Sequence, residues 1–315
     1  MNTSIKIIVR NATLLFAALL LVGVSATAQN KYNRVVKESF ETKSNPTVEV
    51  ESKFGAVHVF AGSGNTVTAV VKVSAREHSE AAAKKLAESA RVEIKGSGDQ
   101  VTVRAGLPDN MKGDDDRGIE IDVHVTLPAG SKLGLESKFG AVDVTGVKGS
   151  VKVETGFGEV RIKECANLDL TSSFGEVSLG GITGSMIVES KMGEIKAYGV
   201  PGGKIKSSYG EVEVTRPSGP VDINSSMGEI TVKGCRGGTV TSSYGEVTLV
   251  MDKSFSGRIQ AESSFGDIDS DFDLQSKEKE KSYGPTAQKK YGSVGSGGDK
   301  LFVKSSFGDI SIEKE

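Results

Sequence analysis

The sequence predicts a mainly β protein, a parallel β-solenoid of about 17–18 residues per coil with a small N-terminal α+β cap. A short motif, typified by Ser-Ser-Phe-Gly-Glu-Val, recurs along the chain at nearly constant spacing. On both sides of its glycine, apolar and polar residues alternate with the period of a β-strand. The composition agrees, because 39 glycines, no tryptophan and 6% aromatic residues suit many short strands joined by tight turns.

The first residues have the pattern of an export signal. Lys6 and Arg10 precede an apolar run from Ala12 to Val24, and the small residues Ala26 to Ala28 follow. We therefore expect residues 1–28 to be a signal peptide, and the mature protein to lie in the periplasm, on the cell surface or outside the cell. The apolar run is shorter than the roughly 20 residues of a membrane span, and no later segment approaches that length, so we expect no transmembrane segment in the mature chain.

The charge balance argues against one class of partner. The formal net charge is −2, with basic and acidic residues intermixed. A protein that binds nucleic acid needs excess positive charge against the phosphates, so we expect no nucleic-acid partner.

The N-terminal part of the mature chain interrupts the repeat. Val67 to Val73, Val101 to Ala105 and Ile119 to Leu127 predict strands, and Glu77 to Arg91 predicts a helix rich in Ala, Glu and Lys. Residues 29–134 are therefore expected to form N-terminal strands and an α+β cap that shields the open edge of the first coil.

The repeats proper occupy residues 135–270. Their glycines succeed one another in steps of 17 and 18 residues over most of this length, and they are Gly140, Gly158, Gly175, Gly193, Gly210, Gly228, Gly245 and Gly266. The strand alternation slips by one residue just after each glycine, which predicts a bend there, since glycine tolerates unusual φ values. A second turn follows about seven residues later, as at Gly180-Gly181. Each unit is thus two short strands and two turns, and stacking in parallel on its neighbours would cover its apolar face.

Stacked coils would align equivalent residues in columns about 4.8 Å apart. Strand alternation predicts that the large residues just before the glycines point into the core; they are Phe139, Phe157, Phe174, Met192, Tyr209, Met227, Tyr244 and Phe265. The hydroxyl residues two positions earlier are predicted to point inward as well and to hydrogen-bond along the stack or to the bend; they are Ser137, Thr155, Ser172, Ser190, Ser207, Ser225, Ser242 and Ser263.

The two cysteines test this geometry. Cys165 and Cys235 each lie seven residues past a repeat glycine and four coils apart. Four coils span about 19 Å, whereas the Cα atoms of a disulfide lie within about 7 Å of each other. We therefore predict two free thiols in one column.

The end of the chain changes character. Residues 271–300 are dominated by Lys, Glu, Ser and Gly, which predicts a flexible loop. Residues 301–315 return to the repeat pattern and are predicted to form the terminal coil.

Together these features resemble the adhesin-like domain family of bacterial secreted proteins, a β-solenoid family of unknown function. The features that match are the export signal, the Ser-x-x-Gly-x-Val-x-Val strand at Ser52 to Val59, the helical segment at Glu77 to Arg91, the Leu-Pro-Ala-Gly turn at Leu127 to Gly130, and the repeats from Gly140 onward. The resemblance covers nearly all of the mature chain. It implies a solenoid architecture and a surface-binding role.

One column of the repeat is a candidate binding site. The residue after each glycine is acidic in eight units, at Glu159, Glu176, Glu194, Glu211, Glu229, Glu246, Asp267 and Asp309. Like charges about 4.8 Å apart repel by roughly 0.9 kcal/mol even in water, so a strip for cations, with Ca²⁺ as the favoured ion, is one interpretation. The alternative is that these side chains splay into solvent, partly neutralised by Arg161, Lys163, Lys196 and Lys233.

Other candidate residues point to no cofactor or catalytic centre. His58, His78 and His124 fall in separate segments, and His58 and His124 take outward strand positions. Asp114 to Asp116 lack the spacing of a calcium loop. No metal triad and no Ser-His-Asp arrangement is predicted.

Two functions remain open from the sequence. The first is a non-enzymatic adhesin-like or structural solenoid whose repetitive surface binds an unidentified cell-surface, glycan or matrix ligand. The second is a carbohydrate-active β-helix enzyme. The evenly repeated acids favour the first, because catalysis on a polysaccharide needs a local, non-repeating cluster of acids or bases in a groove.

Overall fold

The computed structural model describes residues 30–43, 45–107, 118–276 and 287–315. Two long sheets, here called A and B, share one continuous apolar core. Each coil of the repeat region contributes one strand to each sheet and pairs in parallel with the equivalent strands of its neighbours. The parallel β-solenoid predicted from the repeat spacing is confirmed.

The repeat region consists of eight strand pairs. The strands in sheet B are β8 (Lys132–Phe139), β10 (Ser150–Phe157), β12 (Asn167–Phe174), β14 (Met186–Met192), β16 (Gly203–Tyr209), β18 (Val221–Met227), β20 (Gly238–Tyr244) and β22 (Gly257–Phe265). The strands that follow them in sheet A are β9 (Val142–Thr145), β11 (Val160–Lys163), β13 (Val177–Gly180), β15 (Ile195–Tyr198), β17 (Val212–Thr215), β19 (Ile230–Cys235), β21 (Val247–Met251) and β23 (Ile268–Ser270).

The N-terminal elements confirm the predicted strands and helix. In order they are β1 (Asn30–Glu41), β2 (Thr47–Ser52), β3 (Val57–Gly62), β4 (Thr66–Glu77), α1 (Glu80–Ser89), β5 (Arg91–Ser97), β6 (Gln100–Gly106) and β7 (Ile119–Pro128). The helix starts at Ser79, whose side-chain oxygen accepts a hydrogen bond from the Ala82 amide at 3.2 Å, and it buries Ala83 and Ala87. Strands β1, β4 and β5 add to the sheets in antiparallel fashion and complete the cap.

The C-terminal elements are β24 (Gln275–Ser276), β25 (Gln288–Val294), β26 (Asp299–Phe307) and β27 (Ile310–Lys314). The prediction of a flexible loop at 271–300 is wrong for β25, which pairs antiparallel with β22 along seven residues. Residues 277–286 lie outside the described residues. Polar composition alone predicts a loop, whereas pairing to β22, the outermost parallel strand of sheet B, adds this segment to the sheet.

Towards each end of the stack, one coil is inserted between coils that come from other parts of the sequence. Strands β2 and β3 lie between the coil of β6 and β7 and the coil of β8 and β9. At the other end, β26 and β27 lie between the coil of β20 and β21 and the coil of β22 and β23. Each of these two coils is therefore paired on both sides, which protects it from fraying.

The bend glycines determine how closely the coils approach. Seven of them, from Gly140 to Gly245, have φ between +125° and +133°. A Cβ atom at Gly210 would lie 2.2 Å from the carbonyl oxygen of Gly193 in the neighbouring coil. Position 210 therefore requires glycine for two reasons: its backbone φ is positive, and a side chain there would collide with the neighbouring coil.

The prediction that the large residues before the glycines fill the core is wrong. Phe174 is 39% exposed and Tyr209 is 52% exposed, and the other members of that column are exposed as well. The chain bends at Ser173, one residue before the ring, so that the pairing register runs from Ser172 to Phe174 with Ser173 skipped. The alternation of side-chain direction, which predicted that these rings point inward, is interrupted at this bend. Small aliphatic residues such as Val177 fill the narrow space between the sheets instead.

The hydroxyl column is buried, as predicted. The prediction that its members hydrogen-bond along the stack or to the bend is wrong for all of them except Ser242. Ser242 donates to the carbonyl of Gly245 at 3.4 Å. Among the described residues, the buried hydroxyls without a hydrogen-bond partner are those of Ser137, Thr155, Ser172, Ser190, Ser207, Ser225, Ser263 and Ser305. Adjacent hydroxyls are separated by a strand spacing of about 4.8 Å, which is too long for a direct bond.

Both cysteines are free and buried, as predicted. Each lies five residues after the first buried residue of its sheet A strand, in one core column with Val147, Ile182 and Val200. Burial raises the pKa of the Cys165 thiol to about 11 and that of the Cys235 thiol to about 11. These thiols are therefore unreactive in the folded protein.

The described helix is too short and too polar to span a bilayer, and no other helix of the described ranges qualifies. The predicted signal peptide, residues 1–28, lies outside the described residues.

Replacing a bend glycine should unfold the stack at a lower urea concentration. We expect Gly210→Ala to destabilise the protein by at least about 2 kcal/mol, because the new methyl group strains φ and collides with the neighbouring backbone. Gly298→Ala is the matched control, since an added methyl group there would have nothing within 4 Å of it. Equal urea midpoints for the two variants would contradict this role of the glycine.

Candidate functional site

The residues that turn outward at the bends form a continuous surface feature, here called the exposed strip. Consecutive members are in register on neighbouring strands of sheet B, and each is 39–52% exposed. In spatial order the strip comprises Phe139, Phe157, Phe174, Met192, Tyr209, Met227, Tyr244, Phe307 and Phe265.

The aromatic rings of the strip stack on one another. Ring centroids of Phe157 and Phe174 are 4.6 Å apart with an interplanar angle of 3°, and those of Tyr244 and Phe307 are 4.8 Å apart with the same angle. Phe265 stacks on the other side of Phe307, also at 4.8 Å. Phe157 and Phe307 therefore have neighbouring rings on both faces. Phe174, Tyr244 and Phe265 each have a ring stacked on one face.

The strip is large for an exposed apolar surface. With about 200 Å² for each large side chain, nine residues exposed by roughly half present about 800 Å². The largest apolar patch on a typical monomer is about 300–600 Å² and is often functional. The area points to an interaction surface.

The acidic column runs along one side of the strip, two residues beyond each strip member except Phe139, which is followed by Ala141. Its members are exposed or half-buried at the start of the sheet A strands. Lys196 Nζ lies 2.7 Å from Glu194 and 3.5 Å from Glu176, and Arg161 pairs with Glu159. The hydrogen bond from Lys196 to Glu194 is the main cause that raises the pKa of Lys196.

This partial neutralisation agrees with the solvated interpretation of the column. Lys233 was expected to neutralise a member of the acidic column. It pairs instead at 2.7 Å with Glu213, which lies on the face of sheet A. Within the described ranges, no three His, Cys, Asp or Glu residues are grouped so that they could hold a metal ion. Asp114 to Asp116 lie outside those ranges.

The nearest position on the other side of the strip carries no acids, whereas Glu136, Glu154, Glu189 and Glu262 lie two residues further back, on the outer face of sheet B. This nearest position is the residue just before each strip member, and these residues are Lys138, Gly156, Ser173, Lys191, Ser208, Ser226, Ser243, Ser306 and Ser264. The strip is thus an apolar band with carboxylates on one flank and hydroxyls or ammonium groups on the other.

Two of the three histidines come together, which sequence reasoning missed. His58 and His124 are register partners on β3 and β7, with ring centroids 4.9 Å apart. His58 Nδ1 lies 2.9 Å from Asp143 Oδ2 on the next strand. Burial, Lys72 and His58 lower the pKa of His124. Only the insertion of β3 beside β7 joins these residues, and no local pattern signals that insertion.

A local, non-repeating group of charged side chains lies in a surface depression of the cap, as the site of a polysaccharide-cleaving enzyme would. Arg104 lies 3.0 Å from Glu51 and 3.7 Å from Glu93 in a surface depression, and Lys95 pairs with Glu93. The hydrogen bond from Lys95 is the main cause that lowers the pKa of Glu93. A general acid for glycoside cleavage needs a raised pKa, so the group has the character of a surface ion-pair cluster.

The fold and the exposed strip define a repetitive β-solenoid with a long exposed apolar surface. The chain belongs to the Toastrack DUF4097 family, whose profile matches residues 22–313. No curated protein matches the chain.

Several solved structures are similar. A candidate cell adhesion protein from Clostridium sporogenes is 10% identical, with a TM-score of 0.26, over 90% of this chain and 100% of that one. A candidate adhesin from Bacteroides fragilis is 10% identical, with a TM-score of 0.35, over 89% and 97%. A candidate lipid-binding protein from Parabacteroides distasonis is 12% identical, with a TM-score of 0.34, over 89% and 96%.

The histidine pair should make stability depend on pH. Because the pKa of His124 is lower in the folded state than in the unfolded state, the unfolded state binds more protons as the pH falls below about 6.5. The contribution of neutral His124 is therefore present above that pH and is lost as the pH falls toward the folded-state pKa. We expect the difference in urea midpoint between pH 7.5 and pH 5 to shrink in His124→Gln. The exposed His78, changed to Gln, is the control, and an unchanged difference in His124→Gln would contradict the assignment.

Proposed function

We propose that the protein is an exported, non-enzymatic, adhesin-like scaffold that associates with other proteins along the exposed strip. The observation that carries this proposal is the strip itself, an apolar band of nine exposed side chains aligned on consecutive strands. Burying such a band against a partner is favourable by roughly 25 cal/mol per Å² before the costs of association.

The ring geometry favours a protein partner over a glycan. Sugar rings and cations bind aromatic side chains over the ring face. In the strip, both faces of Phe157 and of Phe307, and one face of Phe174, are covered by neighbouring rings. Ring edges and methionine thioethers offer a surface that packs against aliphatic and aromatic side chains of another protein.

The absence of an enzymatic role is supported by the even distribution of the acids. The acidic column repeats in every coil from Glu159 to Asp267, so no coil is singled out as a reaction site. The two cysteines are buried with raised pKa values, which makes them poor nucleophiles.

A binding screen with strip variants tests the proposal. Protein purified after expression of the full chain is applied at nanomolar concentration to panels of matrix proteins and glycans. The variant Tyr209→Ser/Met227→Ser removes apolar surface from the centre of the strip. The matched control is Ile187→Ser, which removes an exposed side chain, 44% accessible, from the face of sheet B.

We expect the native protein and the control to bind protein ligands, and the strip variant to bind them at least about tenfold more weakly. Circular dichroism and urea unfolding check that both variants keep the fold. Binding that is unaffected by the strip variant, or cleavage of a polysaccharide by the native protein, would overturn the proposal.

A further inference from the structure

We propose that a second copy of the chain occupies the exposed strip, in a two-fold dimer whose solenoids run parallel with each rung facing the same rung of its partner. A rung is the set of residues that one coil contributes to the strip and its flanks. The inference rests on the proposed function, because it names the protein partner of the same surface.

The repeat distance of the strip favours such a partner. Nine rungs spaced by about 4.8 Å span roughly 38 Å. An extended peptide lying along the strip presents side chains to it only every 6.6–6.8 Å or so, and therefore falls out of step within a few rungs. A second copy has the same spacing and stays in step along the whole length.

The two flanks determine the relative direction of the copies. A two-fold axis perpendicular to the strip would make the solenoids antiparallel and would place acidic column against acidic column, which is repulsive. A two-fold axis along the strip makes them parallel and places the acidic column of each copy against the hydroxyl and lysine flank of the other. The facing pairs would be Glu159 with Gly156, Glu176 with Ser173, Glu194 with Lys191, Glu211 with Ser208, Glu229 with Ser226, Glu246 with Ser243, Asp309 with Ser306, and Asp267 with Ser264.

The available area is of the right size for such a contact. The nine strip side chains alone present about 800 Å² on each copy. A standard protein interface buries about 800 Å² on each partner. An apolar centre with polar edges is also the usual arrangement of an interface.

Sedimentation equilibrium tests the inference on protein purified from expression of the full chain. We expect a monomer–dimer equilibrium for the native protein and for Ile187→Ser, and a dissociation constant at least about tenfold higher for Tyr209→Ser/Met227→Ser.

A charge exchange tests the facing pairs. Ser226→Glu places a carboxylate opposite Glu229 of the other copy at two symmetric positions, and should weaken the dimer about tenfold or more. Adding Glu229→Lys in the same chain should restore the dissociation constant to within about threefold of the native value, because each new carboxylate then faces an ammonium group. A strip that only stabilises the monomer would give no such rescue.

Single cysteines test the direction. Phe157 and Phe307 occupy the second and eighth rungs. In a parallel dimer, Phe157→Cys and Phe307→Cys should each cross-link to an identical chain under mild oxidation, whereas an antiparallel dimer would cross-link only when the two variants are mixed. The buried native thiols give little background.

The outcomes separate the two proposals. A protein that is monomeric at all concentrations, yet binds other proteins through the strip, overturns the dimer and leaves the proposed function standing. A dimer that is indifferent to the strip and charge variants, or that cross-links only in the mixture, also overturns the inference. A native protein that neither self-associates nor binds other proteins through the strip would overturn the dimer and the proposed function together.

Discussion

The close approach of consecutive coils at the bend glycines is the constraint on which the rest of the structure depends. At Gly158 the position of a Cβ atom is 2.1 Å from the carbonyl oxygen of Gly140, and the same contact recurs at Gly175, Gly193 and Gly210. Since no side chain fits there, the bend of one coil can rest directly on the bend of the next. The sheets on either side are thereby held in register, because a slip of one residue would drive side chains into this contact.

Because the strands are in register, equivalent residues of successive repeats align in columns, and each column has its own chemistry. Inside, the columns are valine, leucine, isoleucine and small hydroxyl residues, which fill a thin core. At the bend, the same register stacks Phe139 on Phe157 and Phe157 on Phe174. The exposed strip therefore serves the fold as well as the binding proposed for it: stacking of the rings supports the alignment of the coils.

Much of this architecture could be predicted from the sequence. The spacing of the glycines predicted the coil, the placement of Cys165 and Cys235 ruled out a disulfide, and helical composition located α1. The orientation of Phe174 was not predictable by the same means, because alternation fixes a side chain's direction only while the strand stays straight, and the bend at Ser173 reverses it. Long-range pairing explains what else was missed. The insertion of β26 and β27 between two earlier coils, and of β2 and β3 at the other end, depends on contacts between residues far apart in sequence. A repeat pattern identifies which segments can stack but does not state their order.

Distances between spin labels on the outer face of sheet A test the stacking order most directly. With one label at Ser178→Cys, partners at Thr248→Cys, Ser311→Cys and Asp269→Cys lie four, five and six strands away. At about 4.8 Å per strand, the backbone separations should be about 19, 24 and 29 Å. Position 311 should therefore be nearer to position 178 than position 269 is, although it comes later in the chain. A distance to position 311 longer than that to position 269, or distances that do not increase by equal steps, would contradict the account.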